Sequence, residues 1–300
     1  MGTEERTKKF IDEMTPYRAL SHLLKELEAP RAVKMAFSSI HVAIPAIAKR
    51  LSQNDRGRLI YIGAGTSGRL GNLDASELYP TFGWPKNRIV QLVAGGDRAL
   101  KESVEGAEDQ TVNVEVVIDM LKLNENDVLI AVAASGTTPY VLAAMRQAKK
   151  YGALTIGIAN NADRPILTQA DHPIFLDTGP EPIAGSTRMK AGTAQHVTLK
   201  TISTLVMVRL GYVYKGMMVN VRASNDKLKK RAVSVVRLIT GSDDEDATKK
   251  TLELCDWEIG VAVLVLRGVP IPCATTLYLK LAQRDLHAAL VLEELEKMTR

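Results

Sequence analysis

Five short, almost unbroken apolar runs, spaced by helical segments, leave this chain few folds to adopt. "RLIYIG" (Arg58 to Gly63), "RIVQLVA" (Arg88 to Ala94), "DVLIAVAA" (Asp127 to Ala134), "ALTIGIA" (Ala153 to Ala159) and "PIFLDT" (Pro173 to Thr178) are rich in β-branched residues and read as strands. A strand apolar on both faces must be covered on both, and helical patterns such as "TPYVLAAMRQAKKYG" (Thr138 to Gly152) lie between most of them. That rhythm predicts an α/β protein with a doubly wound, flavodoxin-like parallel sheet.

Helical sequence flanks the sheet. About fifty residues before it read as helix, including "RAVKMAFSSIHVAIPAIAKRL" (Arg31 to Leu51). "TAQHVTLKTISTLVMVRLG" (Thr193 to Gly211) is apolar on nearly all sides and belongs in a core or against another subunit. From about Gly241, "GSDDEDATKKTLELC" opens a run of further helices. The expected organisation is a helical region over 1–56 packed on the sheet, a sheet domain over 57–240 and a small all-helical domain over 241–300.

Bulk properties exclude several classes. With 46% hydrophobic and 24% charged residues the chain is an ordinary globular one. A formal charge of +5 is mild, and the densest basic run, "KLKKR" (Lys227 to Arg231), lacks the aromatic neighbours of a nucleic-acid groove. Two cysteines, Cys255 and Cys273, build neither a disulfide framework nor a metal knuckle, and the five histidines form no i,i+4 pair, so no metal is expected. The start, "MGTEERTKKF", leads into charge rather than a signal region, and Arg6 stands where a myristoylation pattern wants Ser or Thr. No run of about 18 uncharged apolar residues occurs. A soluble cytoplasmic protein is expected, with neither nucleic acid nor membrane as partner.

After the first strand, Gly63-Ala64-Gly65-Thr66-Ser67-Gly68 fits G-x-G-x-x-G. A glycine turn between strand and helix presents backbone N–H groups and the positive helix end to a phosphate. A dinucleotide site also needs an acid at the end of the second strand; here that strand ends in "VAGGD", with Asp97 late for the role. No nucleotide cofactor is expected. The hydroxyls of Thr66 and Ser67, beside Gly65 and Gly68, suit a phosphate monoester instead. A similar loop, "ASGTTPY", brings Ser135, Gly136, Thr137 and Thr138, and "GSTRMKAGT" brings Ser186, Thr187, Arg188 and Lys190. Any one of these loops also reads as simple helix N-capping. Together, beyond the carboxyl ends of parallel strands, they can surround one small phosphorylated molecule.

"RLIYIGAGTSGRLGNLDASELYPTFG", "VAGGDRALKESVEGAEDQ", "VAASGTTPYVL", "GSTRMKAGTAQ" and "MMVNVRASNDKL" carry a resemblance. In order and content they resemble the N-acetylmuramic acid 6-phosphate etherase family of the sugar-isomerase-type (SIS) phosphosugar-binding fold, over roughly Arg58 to Leu228. The resemblance implies removal of D-lactate from the 3-ether of the amino sugar phosphate, then addition of water. It implies Glu77 of "DASE" as general acid and Glu108 of "EGAED" as base at C2, with Gly65, Thr66, Ser67, Gly68, Ser135, Gly136, Thr137, Thr138, Ser186 and Lys190 around the substrate. It also implies a homodimer, and a helping role for Asn220, Ser224 and Asn225.

The residues alone leave other readings open. Asp74 to Glu77 can be a capping box, although Pro80 would make such a helix very short. Glu102, Glu105, Glu108 and Asp109 can be the acidic side of one solvated helix. Acting as an acid near neutral pH would require burial of Glu77. His196 stands where the family commonly has lysine and reads as a helix residue. Thr137 replaces the family's usual arginine, a change that bears on how the lactyl carboxylate is held. A regulator like the glucokinase regulatory protein, or an aldose–ketose phosphosugar isomerase, are the competing functions on the same fold.

Overall fold

A computed structural model describes residues 2–3, 10–26, 29–54, 56–220, 223 and 225–283. Ser224, the part of "TEERT" after Thr3 and the tail beyond 283 lie outside the described residues. The chain divides into two units, Met1–Ser76 with Asn87–Thr204, and Glu77–Lys86 with Leu205–Arg300.

Along the chain, helices α1 (Pro16–Glu26), α2 (Ala29–Met35) and α3 (Phe37–Ser52) precede strand β1 (Leu59–Gly63). There follow α4 (Gly65–Phe82), β2 (Ile89–Val93), α5 (Arg98–Lys101), α6 (Thr111–Leu121) and β3 (Val128–Val132). Then come α7 (Pro139–Lys150), β4 (Leu154–Ala159), α8 (Pro165–Gln169), β5 (His172–Phe175) and α9 (Lys190–Leu210). The five strands are all parallel in the order β2-β1-β3-β4-β5, the doubly wound sheet that the apolar runs predict. Every residue of β1, β3 and β4 is buried, which is why these runs show no polar alternation. Helix α3 turns Ile40, Ile44, Ile47 and Leu51 inward and packs on β3, β4 and β5, while α7 packs on β1, β3 and β4. Each such side chain buried contributes about 1.5–3 kcal/mol.

The amino ends of the central strands are held by a charge pair. Asp127, fully buried just before β3, receives Arg58 Nε at 3.0 Å, Arg58 Nη2 at 2.6 Å and the Arg58 backbone N–H at 2.9 Å. The two-pronged geometry uses the planar guanidinium fully. At the other end of the sheet, Thr3 is buried: its N–H donates to Asn161 Oδ1 at 3.0 Å, and Asn161 Nδ2 donates to Thr3 Oγ1 at 2.9 Å.

The second unit holds a short antiparallel pair, β6 (Val213–Tyr214) and β7 (Met217–Met218), followed by α10 (Asp226–Thr240), α11 (Glu245–Leu254), α12 (Ile259–Leu266) and α13 (Ile271–Gln283). Helix α10 packs on α11 and α12 and buries Ala232, Val233, Val236 and Ile239. Gly241 is the left-handed C-cap of α10, with φ 74°, and so lies inside this unit. The glycine that marks a change of texture in the sequence marks the end of a helix rather than an edge of the helical core.

Candidate active site

β1 ends at Gly63 and α4 begins at Gly65, so the chain reverses within one residue. Glycine makes that turn possible. Gly65 has a φ of +52°, and a Cβ on Gly63 would stand 2.7 Å from Gly68 N, while one on Gly68 would stand 2.7 Å from Gly63 O. The first turn of α4 therefore rests directly on the end of the strand, with its amides and positive pole at the carboxyl edge of the sheet. From β1 the sheet continues to β2 on one side and β3 on the other, the switch point at which open α/β sheets bind ligands.

The hydroxyls of this loop diverge. Thr66 is half-buried and lines a cleft; Ser67 is buried and donates to Gln195 Oε1 of α9 at 2.9 Å. Gln195 Nε2 donates to Asn160 Oδ1 at 2.8 Å, and Asn160 Nδ2 donates to Leu176 O at 3.2 Å and Thr178 Oγ1 at 3.3 Å. Ser67 thus fastens the glycine turn to α9 and to the segments after β4 and β5. Gly68 is buried against β1.

The second loop follows β3, whose Val132 is in register with Gly63. Ser135 Oγ accepts the Thr137 N–H at 3.3 Å and lies 3.5 Å from Thr138 Oγ1. Gly136 has a φ of +73°, and a Cβ there would collide with Arg164 at 2.4 Å. Thr137 is exposed. Thr138 precedes Pro139, the first residue of α7, so the loop feeds a second helix start beside the first.

The third cluster differs in kind. Glu181, 1% exposed, accepts the N–H of Lys190 at 3.1 Å and of Ala191 at 2.9 Å, so a carboxylate of the chain itself caps α9. Lys190 is buried and its Nζ donates to Pro180 O at 2.9 Å. Ser186 is half-buried, and its N–H donates to Ile183 O at 3.0 Å.

The cleft that Thr66 lines has a volume of about 390 Å³, and Arg69, Glu102, Glu105 and Glu108 line it too. The acidic residues do not share a helix. Helix α5 ends at Lys101, Gly106 has a φ of +69°, and Glu108 sits on a single turn, Ala107–Asp109. Arg69 of α4 holds the segment in place through Nε to Ala99 O and Nη2 to Glu102 O, both 2.9 Å. The Glu102 carboxylate pairs with Arg98. Glu105 and Glu108 are exposed and have no hydrogen bond or ion pair among the described residues.

Glu77 lies within α4, so its motif is no capping box. Asp74 of the same motif is buried and accepts Tyr61 Oη at 2.8 Å and Ser203 Oγ at 3.0 Å. Burial raises the Asp74 pKa, and the hydrogen bonds from Tyr61 and Ser203 with the charges of Lys200 and His196 offset it only in part. Burial, then the Asp74 charge, push the Tyr61 phenol well up. Glu77 itself is exposed in the single chain, without the burial that acting as an acid near neutral pH requires. Asn220 receives the Tyr278 hydroxyl and Asn225 caps α10 by accepting the Leu228 N–H at 2.9 Å, so both serve the second unit locally. Among the described residues no group of three or more His, Cys, Asp or Glu side chains is placed to hold a metal.

Sequence reasoning did not single out Arg69, Asn160, Glu181 or Gln195. Arg69 directly follows the glycine pattern, and its position on the second turn of α4 was the available signal.

Comparison with known proteins shows the family of the chain. The glucokinase regulatory protein N-terminal SIS domain family matches residues 40–149, and the SIS domain family matches residues 111–205. A Deinococcus radiodurans protein named N-acetylmuramic acid 6-phosphate etherase is 49% identical over 86% of this chain and 84% of its own length. One of the same name from Streptomyces avermitilis is 44% identical over 93% of this chain and 89% of its own. A phosphoheptose isomerase structure from Francisella tularensis aligns with 65% of this chain and 100% of its own at 16% identity and a TM-score of 0.48. With identity of this order sustained over most of both sequences, the chain belongs to the N-acetylmuramic acid 6-phosphate etherase family.

Proposed function

We propose that the protein is a lyase that cleaves the D-lactyl ether of N-acetylmuramic acid 6-phosphate, giving N-acetylglucosamine 6-phosphate and D-lactate. The observation that carries the reading is that Glu108 lines the same cleft as Thr66, at the start of α4 on the carboxyl edge of the sheet. The α4 amides and Thr66, with the Ser135–Thr138 loop at the adjoining strand end, supply donors for a phosphate. Ser67, Lys190 and Glu181 hold these loops in shape. In the open-chain sugar the C2 hydrogen is acidified by the C1 aldehyde. Glu108 takes that proton, the C3–O bond breaks, and Glu77 protonates the departing lactate oxygen. Water then adds its hydroxyl to C3 and a proton returns to C2, with the two carboxyl groups in reversed roles.

Helix geometry bears on where that Glu77 comes from. Eleven residues of α4 separate Glu77 from Thr66, about 16 Å along the axis. We therefore read the enzyme as a homodimer in which a second copy's Glu77 completes the cleft that holds Glu108, and in which that contact supplies the burial an acid needs. The work belongs in the cytoplasm, in recycling of peptidoglycan sugars; no described helix is long and apolar enough to cross a membrane.

The test is direct: incubate the purified protein with N-acetylmuramic acid 6-phosphate at neutral pH and assay D-lactate. Stoichiometric D-lactate and N-acetylglucosamine 6-phosphate are expected. Folded protein that releases none, or that yields a ketose phosphate, would remove the assignment.

A further inference from the structure

The cleft beside Thr66 is lined by three carboxylates, Glu102, Glu105 and Glu108, and Arg69 is the one cation among its described lining residues. That balance is unfavourable for an anion. Yet the ether that the etherase reading places there carries a carboxylate two bonds from the oxygen that must leave. Thr137, exposed on the neighbouring loop, brings no charge. Glu102 is already answered by Arg98, whereas Glu105 and Glu108 have no partner among the described residues and would repel the lactyl group.

Arg69 is built to answer this. Its Nε and Nη2 are spent on Ala99 O and Glu102 O, which fixes the plane of the guanidinium on the wall of the cleft. Nη1 donates to nothing among the described residues. A guanidinium held on two of its nitrogens gives up little further freedom when a carboxylate meets the third, and it stays charged at any working pH. The residue is half-buried, so its field is less screened than that of a surface arginine.

We propose that Arg69 Nη1 binds the carboxylate of the substrate's lactyl group, making Arg69 the residue that selects a carboxylate-bearing ether. This rests on the etherase reading. No covalent bond to Arg69 forms or breaks; the contact holds the leaving group while its C3–O bond breaks, and the sugar product, which lacks a carboxylate, does not make it. Substrate and product therefore differ in their hold on the cleft.

The experiment is a four-way comparison of kcat/KM, wild type and Arg69→Gln, each with N-acetylmuramic acid 6-phosphate and with its lactamide analogue, in which the carboxylate is a neutral amide. Wild type should turn over the amide about 10- to 100-fold less well, the range for one charge-assisted hydrogen bond. Arg69→Gln should fall by a similar factor on the natural ether and treat the two substrates alike within about twofold. Loss of the Ala99 and Glu102 contacts would slow both substrates equally, so preserved discrimination in Arg69→Gln would overturn the proposal. Should that variant fail to fold, wild type alone still decides: equal turnover of acid and amide overturns it. No D-lactate from wild type would sink the etherase reading as well, whereas D-lactate release without discrimination sinks only the role of Arg69.

Discussion

Two inactive variants should restore one another when mixed. Along α4, Thr66 and Glu77 stand about 16 Å apart. With bond angles allowed for, the four bonds of a glutamate side chain and the six from a 6-phosphate's phosphorus to the C3 oxygen together reach roughly 12 Å. A phosphate seated at the start of α4 thus leaves its ether beyond the Glu77 of the same helix, while Glu108 lines the same cleft. Glu77→Gln and Glu108→Gln homodimers should each lose about 10²- to 10⁴-fold in D-lactate release. After subunit exchange about half of the dimers are mixed. In a two-fold dimer one site of each mixed pair then has both glutamates intact and the other has neither, so the mixture should recover about a quarter of wild-type activity. Differently tagged chains pulled down together verify the exchange. Exchange without recovery above the sum of the two single variants would refute the shared site, as would a protein that stays monomeric while fully active.

Stability and pH give two more tests. Asp127→Ala leaves Arg58, only 18% exposed, and the Arg58 amide without their acceptor, and should cost about 3 kcal/mol by urea unfolding, with KM unchanged; a cost below about 1 kcal/mol would show the pair to be idle. Asp74 has a folded pKa raised above the ordinary 3.8 by burial, so the folded state holds its proton more tightly than the unfolded chain does. Its contribution is greatest below that value and is lost as pH rises toward the folded pKa. Asp74→Asn should therefore gain stability relative to wild type as pH rises above the ordinary 3.8 in melting curves, and a difference that stays constant with pH would contradict the assignment.

The sheet was legible because burial on both faces suppresses polar alternation, and β1, β3 and β4 are buried at every residue. The glycine turn was legible too, since its backbone needs are local. What could not be read was direction. Ser67 and Lys190 are of the right type for a phosphate, but their partners, Gln195 and Pro180 O, are set by tertiary packing that the motif does not encode. The capping-box reading of Asp74 failed for the same reason: Tyr61 and Ser203, distant in sequence, claim that carboxylate. In the proposed dimer Glu77 meets Glu108 across two chains, a pairing that the order of residues along one chain does not encode.

Glu181 has a consequence for selectivity. By spending its own charge on the opening turn of α9, the chain closes off one of the helix poles that could attract an incoming ester, and leaves α4 and α7 without such an internal rival. Neutralising that plug would leave the buried amides of Lys190 and Ala191 without their charged acceptor, so the damage would fall on the seating of α9 rather than on the groups at the reacting bond.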